Sequence, residues 1–245
     1  MKKIIGLPWK IAKDLNMKTQ NELKQEVAQA AAKWALDFCP PNTVLGVGTG
    51  STMNAFIDAL AQHKKHFTAT VASSKATEER LKKHGFTVLD LNAVNNIWLY
   101  VDGADEINPY FQLIKGGGGA LTREKIVAAA SNHFLCIADE SKWVQNLGNF
   151  PLPFEVLAFA ENFVTQELKQ LGANVKRRAD FITDNGNIIL DASALPIHIP
   201  LLTEMELNQI PGVVTCGLFA RRAADFVLLA SQNGIIEPQA LKKRF

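Results

Sequence analysis

Cysteine is scarce, with Cys39, Cys136 and Cys216 the only three in 245 residues. An odd number in apolar surroundings argues against a disulfide framework or a CxxC metal site, and for reduced core thiols in a cytoplasmic protein. Net charge is nearly absent too. The formal balance is +2 with the basic residues dispersed, which leaves no electrostatic footprint for nucleic acid. No apolar run is long enough to span a bilayer, so no membrane association is expected. Internal repeats and low-complexity segments are missing. No His/Cys/carboxylate cluster has metal-ligand spacing. The opening "MKKIIGLPWKIAKDLNM" is basic but lacks an apolar h-region and a small-residue cleavage site, and reads as a lead-in or tag-like extension. The expectation is a soluble globular chain of one large or two small domains with a sizeable core.

Strands and helices alternate through the first 150 residues. An alanine-rich helix is expected over 19–38, a buried strand at "TVLGVG" (43–48) and a helix over 51–61. "FTATVASS" reads as strand, "KATEERLKKHG" as helix, and "FTVLDL" and "IWLYV" as strands. A helix over 120–131 and the strand "HFLCIA" follow. This rhythm predicts an α/β fold with a doubly wound, mostly parallel, Rossmann-like sheet. From Pro151 the order becomes strand (154–159), helix (161–171), strand (174–178), strand (188–191), helix (201–208), strand (213–219). "TDNGN" supplies hairpin turn chemistry between the middle strands. That is the βαββαβ order of a smaller, inserted ferredoxin-like α+β domain. The expected division is 1–150 plus 219–245 for the sheet domain and 151–218 for the small one. "DFVLLAS" is expected to return to the first sheet.

Four polar stretches each follow a predicted strand: "TGST" (49–52), "SSKAT" (73–77), "DGADE" (102–106) and "DESK" (139–142). In an open parallel sheet such loops share the rim where ligands bind. "GVGTGST" is neither a dinucleotide fingerprint, since Ser51 replaces the third glycine, nor a P-loop, since no GK[ST] follows. It leaves a glycine-bearing turn with hydroxyls at Thr49, Ser51 and Thr52, which could cradle phosphate or be an ordinary turn capped by Ser51. Asp102, Asp105 and Glu106 cluster after an apolar strand, where a charge is costly unless paired or used. They could instead cap their own turn. Proton handling on a polyol is the favoured reading.

"LIKGGGGALTREKIV" places four consecutive glycines between Lys115 and a helix carrying Glu124. A backbone without side chains can approach a ligand closely and aim several N–H groups at one oxygen. Donors beside a carboxylate are what removal of a proton next to a carbonyl requires. Taken alone, Glu124 would read as a surface residue of an "REK" ion-pair run. Beside Lys115, the glycines and "DGADE", it reads as a base.

Together "GVGTGST", "SSKAT", "YVDGADEINP", "KGGGGALTREKIVA", "ADESK", "FPLPFEV" and "GVVTCGLFARRAADFVLLAS" resemble the A-type ribose-5-phosphate isomerase family over roughly residues 20–236. The resemblance implies interconversion of ribose 5-phosphate and ribulose 5-phosphate in the pentose phosphate pathway, through an enediol. It implies no metal and no organic cofactor, a small sugar phosphate as the only ligand, and a homodimer or dimer of dimers with the small domain at the subunit interface. By motif, Glu124 would move the proton between C1 and C2, and Asp102 would help open the furanose ring. Lys115 and the glycine amides would stabilise the enediolate. Substrate contacts would come from Thr49, Gly50, Ser51 and Thr52, from Asp102, Gly103, Ala104 and Asp105, from Lys115, Gly116, Gly117 and Gly118, and from Lys142. The sequence departs from the family pattern at its N-terminal extension and at Ala223, where a glycine is expected.

Two other functions compete. A sugar-phosphate sensor should carry a DNA-reading helix, and no basic recognition helix is present. A deaminase or coenzyme A transferase on a similar sheet would not need "DGADE" with "KGGGGALTREK". His63, His66, His133 and His198 have no partner at a catalytic spacing. Trp9, Trp34, Trp98 and Trp143 read as packing, and "VKRR" (175–178) as a charged strand edge.

Overall fold

The computed structural model describes residues 17–241. Most of the basic N-terminal segment, with Trp9, lies outside the described residues. Helix α1 (Gln20–Phe38) starts where Thr19 and Glu22 form a reciprocal capping box, and it ends before Pro40. There follow β1 (Thr43–Val47), α2 (Ser51–Leu60), β2 (Phe67–Ala72), α3 (Lys75–Lys83), β3 (Ile97–Asp102), and two short strands, β4 (Glu106–Ile107) and β5 (Leu113–Ile114). Helix α4 (Leu121–Ala129) and β6 (Ser131–Asp139) complete the first half. The second half runs β7 (Leu152–Val156), α5 (Glu161–Gln170), β8 (Asn174–Arg177), β9 (Ile188–Ser193), α6 (Pro200–Leu207), β10 (Val213–Cys216), β11 (Leu218–Phe219), β12 (Phe226–Ser231) and β13 (Gly234–Ile236).

The main sheet has the order β13-β12-β6-β3-β1-β2 and is parallel except for β13. Strand β1 has β2 on one side and β3 on the other, so the loops leaving β1 and β3 diverge. A crevice opens at their carboxyl ends. Period-two alternation sorts side chains to the two faces. Leu99 and Val101 pack with α1 and α2, while Tyr100 packs with Val127 and Ala128 of α4. Asp102, two residues beyond Tyr100, therefore emerges on the face that α4 covers.

The second sheet, β10-β7-β9-β8, is antiparallel throughout. Its strand order is fourth-first-third-second within the βαββαβ unit, the ferredoxin-like arrangement expected from the sequence, with its own apolar core.

The structure departs from the sequence reading in two places. "FTVLDL" forms a single bridge to β2, Thr70 with Val88, and no strand. Asp90 accepts the Asn92 N–H and turns the chain away from the sheet. The strand expected over 213–219 is broken at Gly217 into β10 and β11, which join different sheets. A Cβ at Gly217 would lie 2.2 Å from the Lys115 carbonyl oxygen, and Gly217 O accepts the Lys115 N–H at 2.9 Å. The small three-stranded sheet β11-β5-β4 thus delivers Lys115 to the crevice.

Candidate active site

The crevice is lined by the β1–α2 turn (49–52), by 103–105 after β3, by Lys115 and residues 116–118, by Glu124, and by Lys142 after β6. Every residue expected from the sequence lines it except Asp102, which lies fully buried directly beneath. Gln20 and Lys24 of α1 and residues 137–139 complete the wall. Sequence reasoning missed these except Asp139, the first residue of "DESK". Lys24 lies far from the other motifs in sequence and carries no signal beyond its helix.

Lys115 is the centre of the polar array and only 3% exposed. Its Nζ lies 2.8 Å from Asp102 Oδ2 and 3.2 Å from Glu124 Oε2, and donates to Gly103 O at 2.6 Å. Asp102 also accepts the Tyr100 hydroxyl at 2.5 Å, and the amides of Gly103 and Thr49 at 2.7 and 3.1 Å. The close fit explains Gly48: a Cβ there would meet Asp102 Oδ1 at 1.9 Å.

Glu124 is the fourth residue of α4 and 4% exposed, which overturns the surface reading of "REK". Its Oε2 makes no hydrogen bond among the described residues, since the nearby ammonium is not aligned to donate to it. Burial first, and the Asp102 charge second, push its pKa up to about 8 against the pull of Lys115. For Lys115, burial works against the charge, but Asp102 and Glu124 prevail and hold its pKa above the ordinary value. Beneath them, burial pushes the Cys136 thiol up to about 12.

The three carboxylates of "DGADE" have three different tasks. Asp102 holds Lys115. Asp105 Oδ2 accepts the Gly117 N–H at 2.8 Å and fixes the glycine turn. Glu106 faces away, accepting the amides of Gly148 and Phe150 at 2.7 and 2.6 Å where the chain enters the small unit.

The "TGST" turn also divides. Thr49 Oγ1 is engaged with Ser73 and Ser74, each at 2.9 Å, so its hydroxyl is structural. The residue preceding α2 is Gly50, not Ser51, with φ +107° and no side-chain cap. The first-turn amides of α2 are therefore open, with Ser51 and Thr52 beside them.

Helix α4 is gripped from the small unit at three positions flanking Glu124. Thr122 donates to buried Glu155 at 2.5 Å, and Glu155 also accepts from Thr183, Asn185 and Asn187. Arg123 donates to Asn185 Oδ1 at 2.9 Å, and Lys125 pairs with buried Glu204. "TDNGN" is thus both a hairpin turn and a clamp on the helix that carries Glu124. "VKRR" is more than a charged edge: Arg177 pairs with Glu161, but Arg178 reaches the carbonyls of Gly116 and Gly117.

Residues 69–234 match the family model described as ribose 5-phosphate isomerase A (phosphoriboisomerase A). The chain is similar to a ribose-5-phosphate isomerase A from Bordetella bronchiseptica, with 54% identity over 219 residues, covering 89% of this chain and 97% of that protein. The solved ribose 5 phosphate isomerase A from Neisseria gonorrhoeae superposes with a TM-score of 0.88 at 44% identity, covering 92% of this chain and 100% of that one. A D-ribose-5-phosphate isomerase in complex with phospho-erythronic acid gives 0.84 at 36% identity, with the same coverages. Neither competing function draws support from these likenesses.

Proposed function

Because the chain belongs to the ribose 5-phosphate isomerase A family, and so is an aldose-ketose isomerase acting on ribose 5-phosphate, we propose that the crevice works by proton transfer through an enediol. The observation that carries this is Glu124: buried, without a hydrogen bond at Oε2 among the described residues, and with its pKa raised to about 8 although a buried ammonium lies 3.2 Å away. A base poised near neutrality is the one best suited to taking a proton from carbon. Glu124 takes the C2 proton of the open-chain aldose, and the electron pair moves into a C1–C2 double bond. Charge gathers on the carbonyl oxygen facing Lys115 and the glycine amides. A proton passes from O2 to O1 of the intermediate, the electron pair on O2 closes the C2 carbonyl, and Glu124 returns its proton to C1, giving the ketose.

At the other end of the sugar, the open amides of α2, Ser51 and Thr52 receive the phosphate, with Lys24 and Lys142, which also line the crevice, supplying charge. Asp102 does not line the crevice, and its four partners fit a task of holding Lys115 better than direct contact with a furanose ring. Phospho-erythronic acid, which a structural neighbour holds, should bind here with its carboxylate in place of the enediolate oxygens. The setting is the cytoplasm, in keeping with three free, buried cysteines. A second copy of the chain covers the small unit, where Leu157, Phe159 and Phe163 are exposed.

Turnover in heavy water tests the route. Glu124 can exchange its proton with solvent before returning it, so deuterium should enter ribulose 5-phosphate at C1. Glu124→Gln should lose roughly 10²–10⁴ in kcat while still binding the sugar phosphate. Product free of solvent deuterium, together with near-normal turnover by Glu124→Gln, would falsify the assignment.

A further inference from the structure

The glycine turn is held from outside the crevice by one side chain. Arg178, just beyond β8, donates through Nη1 to Gly116 O at 3.2 Å and Gly117 O at 3.1 Å. Its Nε and Nη2 form a two-point pair with Asp191, at 3.0 and 2.6 Å. The guanidinium also lies 5.5 Å over the ring of Phe181. That ring fills the space a Cβ on Gly119 would need, at 2.2 Å. The fork is therefore fixed before it meets the glycines.

A trans peptide is planar, so holding its C=O on one side points its N–H to the other. The peptide between Gly116 and Gly117 is fixed at both ends, with its C=O on Arg178 and its N–H on Asp105. The next peptide has its C=O on Arg178. The Gly118 N–H consequently points away from Arg178. It makes no hydrogen bond among the described residues, and Gly118 lines the crevice. Glycine peptides flip readily, because no side chain opposes the rotation.

We propose that Arg178 is a positioning residue for the isomerisation: it locks the Gly116–Gly118 peptides so that the Gly118 N–H faces the developing enediolate oxygen. This rests on the reading of the glycine amides and Lys115 as the oxyanion donors of the crevice. A preorganised donor strengthens binding of the charged intermediate more than binding of the substrate. Lysine, a point charge, cannot span both carbonyls and Asp191.

The test compares R178A, R178K, D191N and E124Q by kcat, KM for ribose 5-phosphate, and inhibition by phospho-erythronic acid. Complete loss of one oxyanion donor costs about 10²–10³ in kcat. R178A should lose roughly 10- to 100-fold in kcat, since the amide is disordered rather than removed. KM should change less than about threefold, and phospho-erythronic acid should weaken by about the same factor as kcat. R178K should recover little, D191N should fall between, and millimolar methylguanidinium should restore part of the R178A rate. If R178A fails to fold, R178K and D191N carry the comparison. Unchanged kcat in the folded variants, or a rise in KM with kcat intact, would overturn the role of Arg178. Near-normal turnover by E124Q would instead overturn the underlying reading of the crevice, so the two failures are separable.

Discussion

The Lys115 ammonium lies 3.2 Å from the Glu124 carboxylate, yet Glu124 binds its proton more tightly than a carboxylate in water. A neighbouring cation ordinarily does the reverse. Burial is the larger cause of the inversion, and Asp102 adds to it, because it stands closer to the same ammonium, at 2.8 Å, and brings its own negative charge to a buried site. Burial and Asp102 together therefore outweigh Lys115 at Glu124.

The free protein's kcat/KM should rise with pH as Glu124 loses its proton, with an apparent pKa near the value of about 8. Asp102→Asn removes the second-largest cause of that raised value and leaves Glu124 as the one carboxylate paired with Lys115. The midpoint should move to lower pH, whatever happens to the maximal rate. A pH–rate profile with an unmoved or higher midpoint in Asp102→Asn would show that burial alone sets the pKa.

Stability should carry the same signature with the sign fixed by linkage. The pKa of Glu124 is higher folded, about 8, than its ordinary 4.5. Its contribution is intact below about 4.5 and is lost as pH rises through 8, because the folded state must then hold a buried charge. Glu124→Gln should therefore unfold at a higher temperature than the parent at pH 8–9, and at nearly the same temperature near pH 4. A gain of about 1 kcal/mol would appear as roughly 2–4 °C. Thermal scans across pH check this, and a destabilised variant at pH 9 would contradict it.

The "TGST" hydroxyls should separate into binding and folding groups. Ser51→Ala or Thr52→Ala should weaken ribose 5-phosphate binding by roughly 1.5–3 kcal/mol each, the worth of a hydrogen bond to a charged group. Thr49→Val should instead lower stability, since its hydroxyl serves the cluster with Ser73 and Ser74. Titration calorimetry beside denaturant unfolding distinguishes the two. Equal affinity in all three variants would remove the phosphate from this turn.

Two neighbouring glycines should respond oppositely to alanine. Gly118 has open space around its missing Cβ, so Gly118→Ala should fold normally but crowd the sugar and weaken binding. Gly119 has φ +78° and would press a methyl onto Phe181 at 2.2 Å, so Gly119→Ala should be destabilised outright. Melting curves and KM for the pair provide the check. A stable Gly119→Ala would mean that the Phe181 ring moves aside at little cost.

The crevice floor and the glycine turn were legible because their chemistry sits in contiguous motifs, each at the end of a strand whose apolar pattern was plain. The small sheet was legible from alternation and "TDNGN". Partnership was not. Thr49 and Thr52 differ by three positions in one motif, but only the fold turns one hydroxyl inward to Ser73 and leaves the other beside the crevice. Lys24 is invisible because α1 reaches the rim from a distant part of the chain. Arg178 looked like any charged residue at a strand end, since the carbonyls it holds lie 61 and 62 positions away. "FTVLDL" misled because an alternating pattern needs a neighbour to pair with, and Asp90 turns the chain aside first.

The grip of the small unit on α4 and the glycine turn has a consequence for biosynthesis. From Lys24 to Lys142, every group proposed to meet the sugar is made before the supports Glu155, Arg178, Asp191 and Glu204 exist. A nascent chain that has passed Lys142 holds the complete chemical inventory and none of its alignment. Completion of β7 to β11, rather than of the motifs that line the crevice, is therefore what aligns the site.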